Sequence, residues 1–228
     1  ACLGNELESN FSAIVMDIGG GTTDIAVVDD GGVEGTKMFG IGGRSFTHQI
    51  ANRTGLDYDT AEAVKLQIGG VSLDQLTLMH RDETVAEAER RNEIQTILST
   101  PERAKKINEA ISDNIEVWLG GVAVALEDFP LIEALPTKIL LCGGGAGLSA
   151  LQEKLATSDW YNDLPFSRRP LVHLLDDVDI PGIENSTSED LDYSLITAFG
   201  LLRVAIDTLT GTDEPTGLRA KLAKLLQN

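Results

Sequence analysis

Two short apolar runs in this chain each end in three consecutive glycines, and few folds accommodate such a pair. The first runs from Phe11 to Ile18 into Gly19-Gly20-Gly21. The second, Ile139-Leu140-Leu141-Cys142, runs into Gly143-Gly144-Gly145. Branched apolar runs of this length read as buried strands. Glycine lets the backbone turn sharply and approach a neighbour or a ligand closely. Each turn alone is equally at home as a plain connection, so the surrounding pattern has to decide.

After the first triplet, Thr23 to Val28 reads as a second strand. Asp29-Asp30-Gly31-Gly32 is a hairpin signal, and Val33 to Ile41 reads as a third strand, completing an antiparallel meander. Gly42-Gly43 ends it. A helix is expected over Arg44 to Arg53, with Phe46, Ile50 and Ala51 inward and Gly55 closing it. A second helix, capped by Asp59 or Thr60, should bury Ala61, Val64, Leu66 and Ile68 and stop at Gly69-Gly70. Residues 71–100 are more polar, with a helix expected from Glu83 to Leu98. Thr100-Pro101-Glu102 then carries the cap, the first-position proline and the first-turn acid of a long helix. Its apolar positions Ala104, Ile107, Ile111, Ile115, Trp118 and Leu119 predict helix to about Leu126.

Lys138 to Cys142 reads as a strand and Leu148 to Ala156 as a helix. Leu171 to Leu174 follows as another strand. Asp190 to Leu209 reads as a helix with Leu195, Ala198, Phe199, Leu202 and Ile206 on one side. Gly211 to Gly217 reads as a linker, and Leu218 to Leu226 as a short amphipathic helix. Strands and helices mix in an α/β order, with a mixed sheet and flanking helices. The expected units are a start at 1–10, a core at 11–55 and 101–210, a smaller inserted lobe at 56–100, and linker plus tail helix at 211–228. The first ten residues, with no initiating Met and no targeting pattern, read as the beginning of a cut segment.

The formal charge of −18 over 228 residues repels polyanions and argues against nucleic acid as a partner. It does not exclude a phosphorylated ligand, which backbone amides and a metal ion can hold locally. Cys2 and Cys142 form no disulfide framework, and His48, His80 and His173 are scattered. The apolar stretch Val117 to Leu126 is half the roughly 20 residues a membrane-spanning helix requires.

Three motifs carry the chemistry. In Asp17-Ile18-Gly19-Gly20-Gly21-Thr22-Thr23-Asp24, a strand ends in a carboxylate that can hold a hydrated magnesium ion. The amides of Gly19, Gly20 and Gly21 and the Thr22 hydroxyl can hold phosphate oxygens. It is not a P-loop, since no Gly-Lys-Ser/Thr is present and no helix follows at once. In Leu141-Cys142-Gly143-Gly144-Gly145-Ala146-Gly147-Leu148, a strand passes through glycines into a helix, where a flat ring could lie against backbone. In Ala61-Glu62-Ala63-Val64-Lys65-Leu66, the acid and base three apart share a helix face, as any surface ion pair would.

In this order the motifs resemble the actin, heat-shock chaperone and sugar-kinase ATPase superfamily, which has a ribonuclease H-like fold. Asp17 to Asp24 looks like its second phosphate motif, Gly143 to Gly147 like its adenosine motif, and Ser194 to Leu202 like its second connecting helix. Val15 to Gly42-Gly43, Ile50-Ala51, Thr60 to Lys65-Leu66 with Gly69, and Asp192-Tyr193-Ser194 to Leu202 together resemble the FtsA cell-division family. The similarity covers most of residues 11–205 and is weakest over 71–100.

That resemblance implies the second half of an actin-like ATPase domain. It implies ATP and Mg2+ as cofactors, with Asp17 serving the metal and Gly19, Gly20, Gly21 and Thr22 the β- and γ-phosphates. Gly43 would lie near the ribose, Glu62 and Lys65 would reach ribose and adenine, and Gly144, Gly145 and Gly147 would pack on the base. Ser194 falls where relatives place a polar adenosine contact. The superfamily's first phosphate motif and first connecting helix are not in this sequence, and no general base is visible. A half-clamp is therefore expected to bind ATP poorly, with weak ATPase activity at best.

The implied function is nucleotide-dependent polymerisation and scaffolding in bacterial cell division. The implied partners are an FtsZ-like tubulin homologue or other division or pilus proteins, and like chains in filaments. The implied location is the cytoplasm at the inner face of the membrane, with Leu218, Leu222 and Leu225 as a candidate membrane contact. Three alternatives stay open: a PilM-like pilus-assembly protein, a nucleotide-free interaction module, and a small-molecule kinase. The kinase would need a carboxylate base and a sugar pocket that the sequence does not display.

Overall fold

The computed structural model describes residues 11–69, 85–129, 133–176 and 192–210. Three antiparallel strands open it: β1 (Ala13–Ile18), β2 (Thr23–Asp29) and β3 (Gly32–Phe39). The β2–β3 turn places Asp30 and Gly31 at φ 45° and 78°. Two successive positive φ values match the right-handed twist of the flanking strands, which is why the Asp-Gly pair signals a hairpin. β3 ends at Phe39, two residues before its expected end. Ile41 still contributes, its carbonyl accepting the Thr23 hydroxyl at 2.8 Å.

Helices α1 (Gly43–Thr54) and α2 (Tyr58–Ile68) follow. Gly55 caps α1 in the left-handed conformation and donates to Ala51 O, as expected from the sequence. The α2 cap is Asp57, rather than Asp59 or Thr60: its carboxylate accepts the Thr60 N–H at 2.9 Å. The cap sits two to three residues earlier because Asp57 is the last extended residue before the helix, and Thr60 spends its hydroxyl on the same carboxylate. The inward face of α2 also differs. Ala61, Ala63, Val64 and Lys65 are buried, whereas Leu66 and Ile68 are half-buried.

Helices α3 (Val85–Ser99) and α4 (Pro101–Glu127) come next. Ile94 and Ile97 of α3 join the same core as the sheet. Thr100 caps α4 through its extended backbone, but its hydroxyl donates back to Thr96 O. The expected buried stripe of α4 is present from Ile107 through Trp118 and Leu119 to Leu126. Then come β4 (Lys138–Cys142), a 3-10 turn (Gly144–Gly147), α5 (Ser149–Thr157), β5 (Leu171–Leu174) and α6 (Ile196–Thr210).

The last helix starts later than expected. Its inward side is built from Ile196, Phe199 and Val204, whereas Leu195, Ala198, Leu202 and Ile206 are exposed. The expected linker and tail helix (211–228), the segment 1–10, residues 70–84 before α3, and the first residues expected in α6 lie outside the described residues.

The sheet order is β3-β2-β1-β4-β5, with β4 parallel to β1 and β5 parallel to β4. The sheet is therefore mixed, with flanking helices. β1 is central, with Ile14, Met16 and Ile18 fully buried, which explains a run that is apolar almost throughout. Trp118 packs into the core and donates its indole N–H to the Thr23 hydroxyl at 2.9 Å. That hydroxyl is thus both donor and acceptor in a site with no water access.

The glycine junction: a candidate nucleotide site

Parallel pairing fixes where the glycine turns go. Asp17 is in register with Cys142, so Ile18 and Gly143 leave adjacent strands at the same edge of the sheet. The carboxyl ends of parallel strands are where open α/β sheets bind ligands.

The two turns interlock with the start of α1. Gly43 N–H donates to Gly19 O at 2.9 Å, and Arg44 N–H donates to Gly20 O at 2.8 Å. A Cβ on Gly42 would lie 2.5 Å from Gly19 O, so only glycine lets α1 approach this closely. Gly143 adopts φ 84°, and a Cβ there would lie 2.2 Å from Asp17 Oδ1. A Cβ on Gly145 would run into Ile18 and Gly19, and one on Gly43 would lie 3.9 Å from Gly145 Cα and 3.5 Å from the Lys65 ammonium. Three stretches of chain thus meet with almost no side-chain volume between them.

Beside this meeting point is a shallow cleft, open to solvent, whose enclosed part has room for about one water molecule. Gly43, Phe46 and Lys65 line one side and Gly144, Gly145 and Gly147 the other, with Leu66, Gly69 and Leu148 completing it. Lys65 is only 9% exposed, so the pair with Glu62 is not a surface ion pair. Its ammonium donates to Gly43 O at 3.1 Å, Thr47 Oγ1 at 3.0 Å and Glu62 Oε2 at 2.8 Å. Three donors therefore have three acceptors, which is what makes burial of the charge tolerable. The Thr47 hydroxyl also donates to Glu62. Glu62 reaches the cleft through Lys65 and Thr47 rather than lining it.

The hairpin tip differs in character. Gly20 and Gly21 are exposed, and their N–H groups donate to no backbone carbonyl among the described residues. Gly19 is already committed, donating to Thr22 O at 2.9 Å. The Thr22 hydroxyl donates to Asp24 at 3.2 Å. Asp17 accepts the Thr197 hydroxyl at 2.5 Å, which ties α6 to the junction. Among the described residues no group of three His, Cys, Asp or Glu gathers around it, and the nearest acid in register is Asp24, which faces Asp17 across the β1–β2 ladder.

Tyr193 belongs to the FtsA-like stretch, but nothing in the sequence marks it as a site residue. Its carbonyl accepts the Gly143 N–H at 2.9 Å, and its hydroxyl rests where a Cβ on Gly147 would be. Burial, reinforced by the Asp192 carboxylate, pushes its phenol above the ordinary value. Ser194 donates to Asp192 at 2.5 Å. Gly42, Arg44, Thr47 and Thr197 were also missed as site residues. Only Gly42 had a visible signal, the Gly42-Gly43 pair. Unused amides at the tip suit an anion, and a glycine-walled cleft suits a flat ring.

A sheet of this order, with glycine turns at its parallel edge, is that of an actin-like ATPase domain. In the solved PilM–PilN type IV pilus biogenesis complex, a chain 19% identical to this one superposes with a TM-score of 0.52. The match covers 86% of this chain and 46% of that one. The family model for cell division protein FtsA matches residues 14–207, and the chain belongs to that family. FtsA of Neisseria meningitidis is 31% identical over 150 residues, which is 65% of this chain and 34% of that protein. The cell shape-determining protein Mbl of Bacillus subtilis is 26% identical over 162 residues, 67% of this chain and 47% of Mbl. The chain therefore spans between a third and a half of these curated relatives.

Proposed function

We propose that this chain forms one wall of an ATP–Mg2+ site in an actin-like cell-division protein, and that nucleotide state governs its assembly into filaments. The observation that carries the reading is the interlock of Gly19, Gly43 and Gly145, which draws two sequence-distant turns to one edge beside a cleft.

In this reading Gly20, Gly21 and Thr22 offer amides to the β- and γ-phosphates, while Gly19 shapes the turn. Asp17 serves the metal, with Asp24 opposite it on β2. Gly43 lies against the ribose, Gly144, Gly145 and Gly147 flank the base, and Lys65, whose three N–H groups are held by Gly43, Thr47 and Glu62, walls the cleft beside ribose and adenine. Of the lobe expected at 56–100, the described helices α2 and α3 contribute Ala61, Val64, Ile94 and Ile97 to the sheet's own core. Bound ATP would supply a cleavable phosphoanhydride; the residues of this chain bind, orient and shield it. The partners are other division proteins, an FtsZ-like tubulin homologue among them, at the cytoplasmic face of the membrane.

Calorimetric titration of Mg-ATP into the natural full-length protein tests the site. Asp17→Ala should weaken binding about tenfold, because the ion loses a protein ligand. Gly20→Val should abolish it through obstruction of the tip. Parental affinity in both variants would remove the assignment. Sedimentation with Mg-ATP and Mg-ADP tests assembly, with more pelleted protein expected in ATP.

A further inference from the structure

Two cations stand at the junction, and they are in opposite situations. Lys65 is buried and all three of its N–H groups are taken. Arg44 is exposed, and its guanidinium makes no hydrogen bond or ion pair with a described residue. Its place is nonetheless defined. The Arg44 N–H is held by Gly20 O at 2.8 Å, and the side chain lies along the hairpin tip. A Cβ on Gly20 would be 3.4 Å from Arg44 Nε and 3.6 Å from Nη2, and one on Gly21 would be 3.9 Å from Nη1. The planar fork therefore runs beside the two glycines whose amides are unused. In a chain of net charge −18, a cation beside an open amide turn makes a local positive spot that suits an anion.

We propose that Arg44 reads the terminal phosphate of the nucleotide and so sets a preference for ATP over ADP. The inference rests on the nucleotide site proposed above. A guanidinium offers paired N–H donors in the spacing of two phosphate oxygens, and such charge-assisted bonds are about twice as strong as neutral ones. The side chain lies by Gly20 and Gly21 and is not among the residues that line the Gly144–Gly147 cleft. Its contribution should therefore grow with the length of the phosphate chain. Lysine would keep the charge but lose the fork.

The test measures dissociation constants of Mg-ATP, Mg-ADP and AMP on the natural full-length protein and on its Arg44→Gln and Arg44→Lys variants. Melting without nucleotide is recorded for each. Arg44→Gln should lose about tenfold or more in ATP affinity and less than about threefold in ADP affinity, with AMP unchanged. Arg44→Lys should fall between. Unchanged ATP affinity in Arg44→Gln, or equal loss for ATP and ADP, overturns the role of Arg44 while leaving the site intact. Equal loss would mark Arg44 as a brace for the hairpin. If the parent protein binds none of the three, the underlying site falls and this inference with it.

Discussion

A Cβ placed on Gly143 would stand 2.2 Å from Asp17 Oδ1, and Gly143 itself sits at φ 84°, ψ 153°. Sterics and backbone thus both demand glycine where the fourth strand hands over to the 3-10 turn. Gly143→Ala should cost about 2 kcal/mol or more in stability. Because the collision is with Asp17, it should also disturb the carboxylate assigned to the metal. Urea unfolding checks the first effect; a wild-type midpoint would contradict it.

The Thr23 hydroxyl is the hinge of a buried relay, accepting from Trp118 at 2.9 Å and donating to Ile41 O at 2.8 Å. Thr23→Val keeps the shape but leaves an indole N–H and a carbonyl without partners. The expected loss is about 1–3 kcal/mol. Thr23→Ser should restore most of it. In a Trp118→Phe background the valine substitution should cost clearly less, which a double-mutant cycle in urea would reveal.

Gly120 and Gly121 are neighbours inside α4 but face different surroundings. A Cβ on Gly120 meets nothing within 4 Å, whereas one on Gly121 would lie 2.8 Å from the Phe39 ring. Gly120→Ala should stabilise by about 0.5–1 kcal/mol, since alanine loses less backbone entropy in a helix. Gly121→Ala should show no such gain, because Phe39 must shift and it packs on Trp118. Thermal melts should place Gly120→Ala above the parent and Gly121→Ala at or below it.

Asp57 caps α2, and its bonds to the Thr60 N–H and hydroxyl hold its carboxyl below the ordinary value of 3.8. A lowered folded value means stability that is present above the unfolded value and lost as pH falls through the folded one. Asp57→Asn keeps a capping oxygen but no titration. Its unfolding free energy, compared with the parent from pH 2 to 6, should fall less steeply on acidification. Identical slopes would contradict the cap's role.

Much of the fold was legible from local pattern. The meander followed from branched runs and an Asp-Gly turn, and α4 from Thr100-Pro101 with an apolar stripe. The cap of α2 was misplaced because several residues near its start can cap, and only backbone geometry chooses among them. The outward turn of Leu195, Leu202 and Ile206 was hidden for another reason. An apolar stripe records what a helix face can bury, and α6 covers only part of that face among the described residues.

The chain's own order of residues determined which segments become strands, helices and tight turns, because those choices are made by neighbours a few positions apart. It also marked the glycines, where side chains had to be absent. The tertiary structure alone decided what those absences are for. The Thr197 hydroxyl meets Asp17 across 180 residues of sequence, and Gly42 closes on Gly19 only because α1 docks on the hairpin. Contacts between distant segments depend on how the strands pair, and β4 beside β1 in parallel leaves no periodic trace in either one.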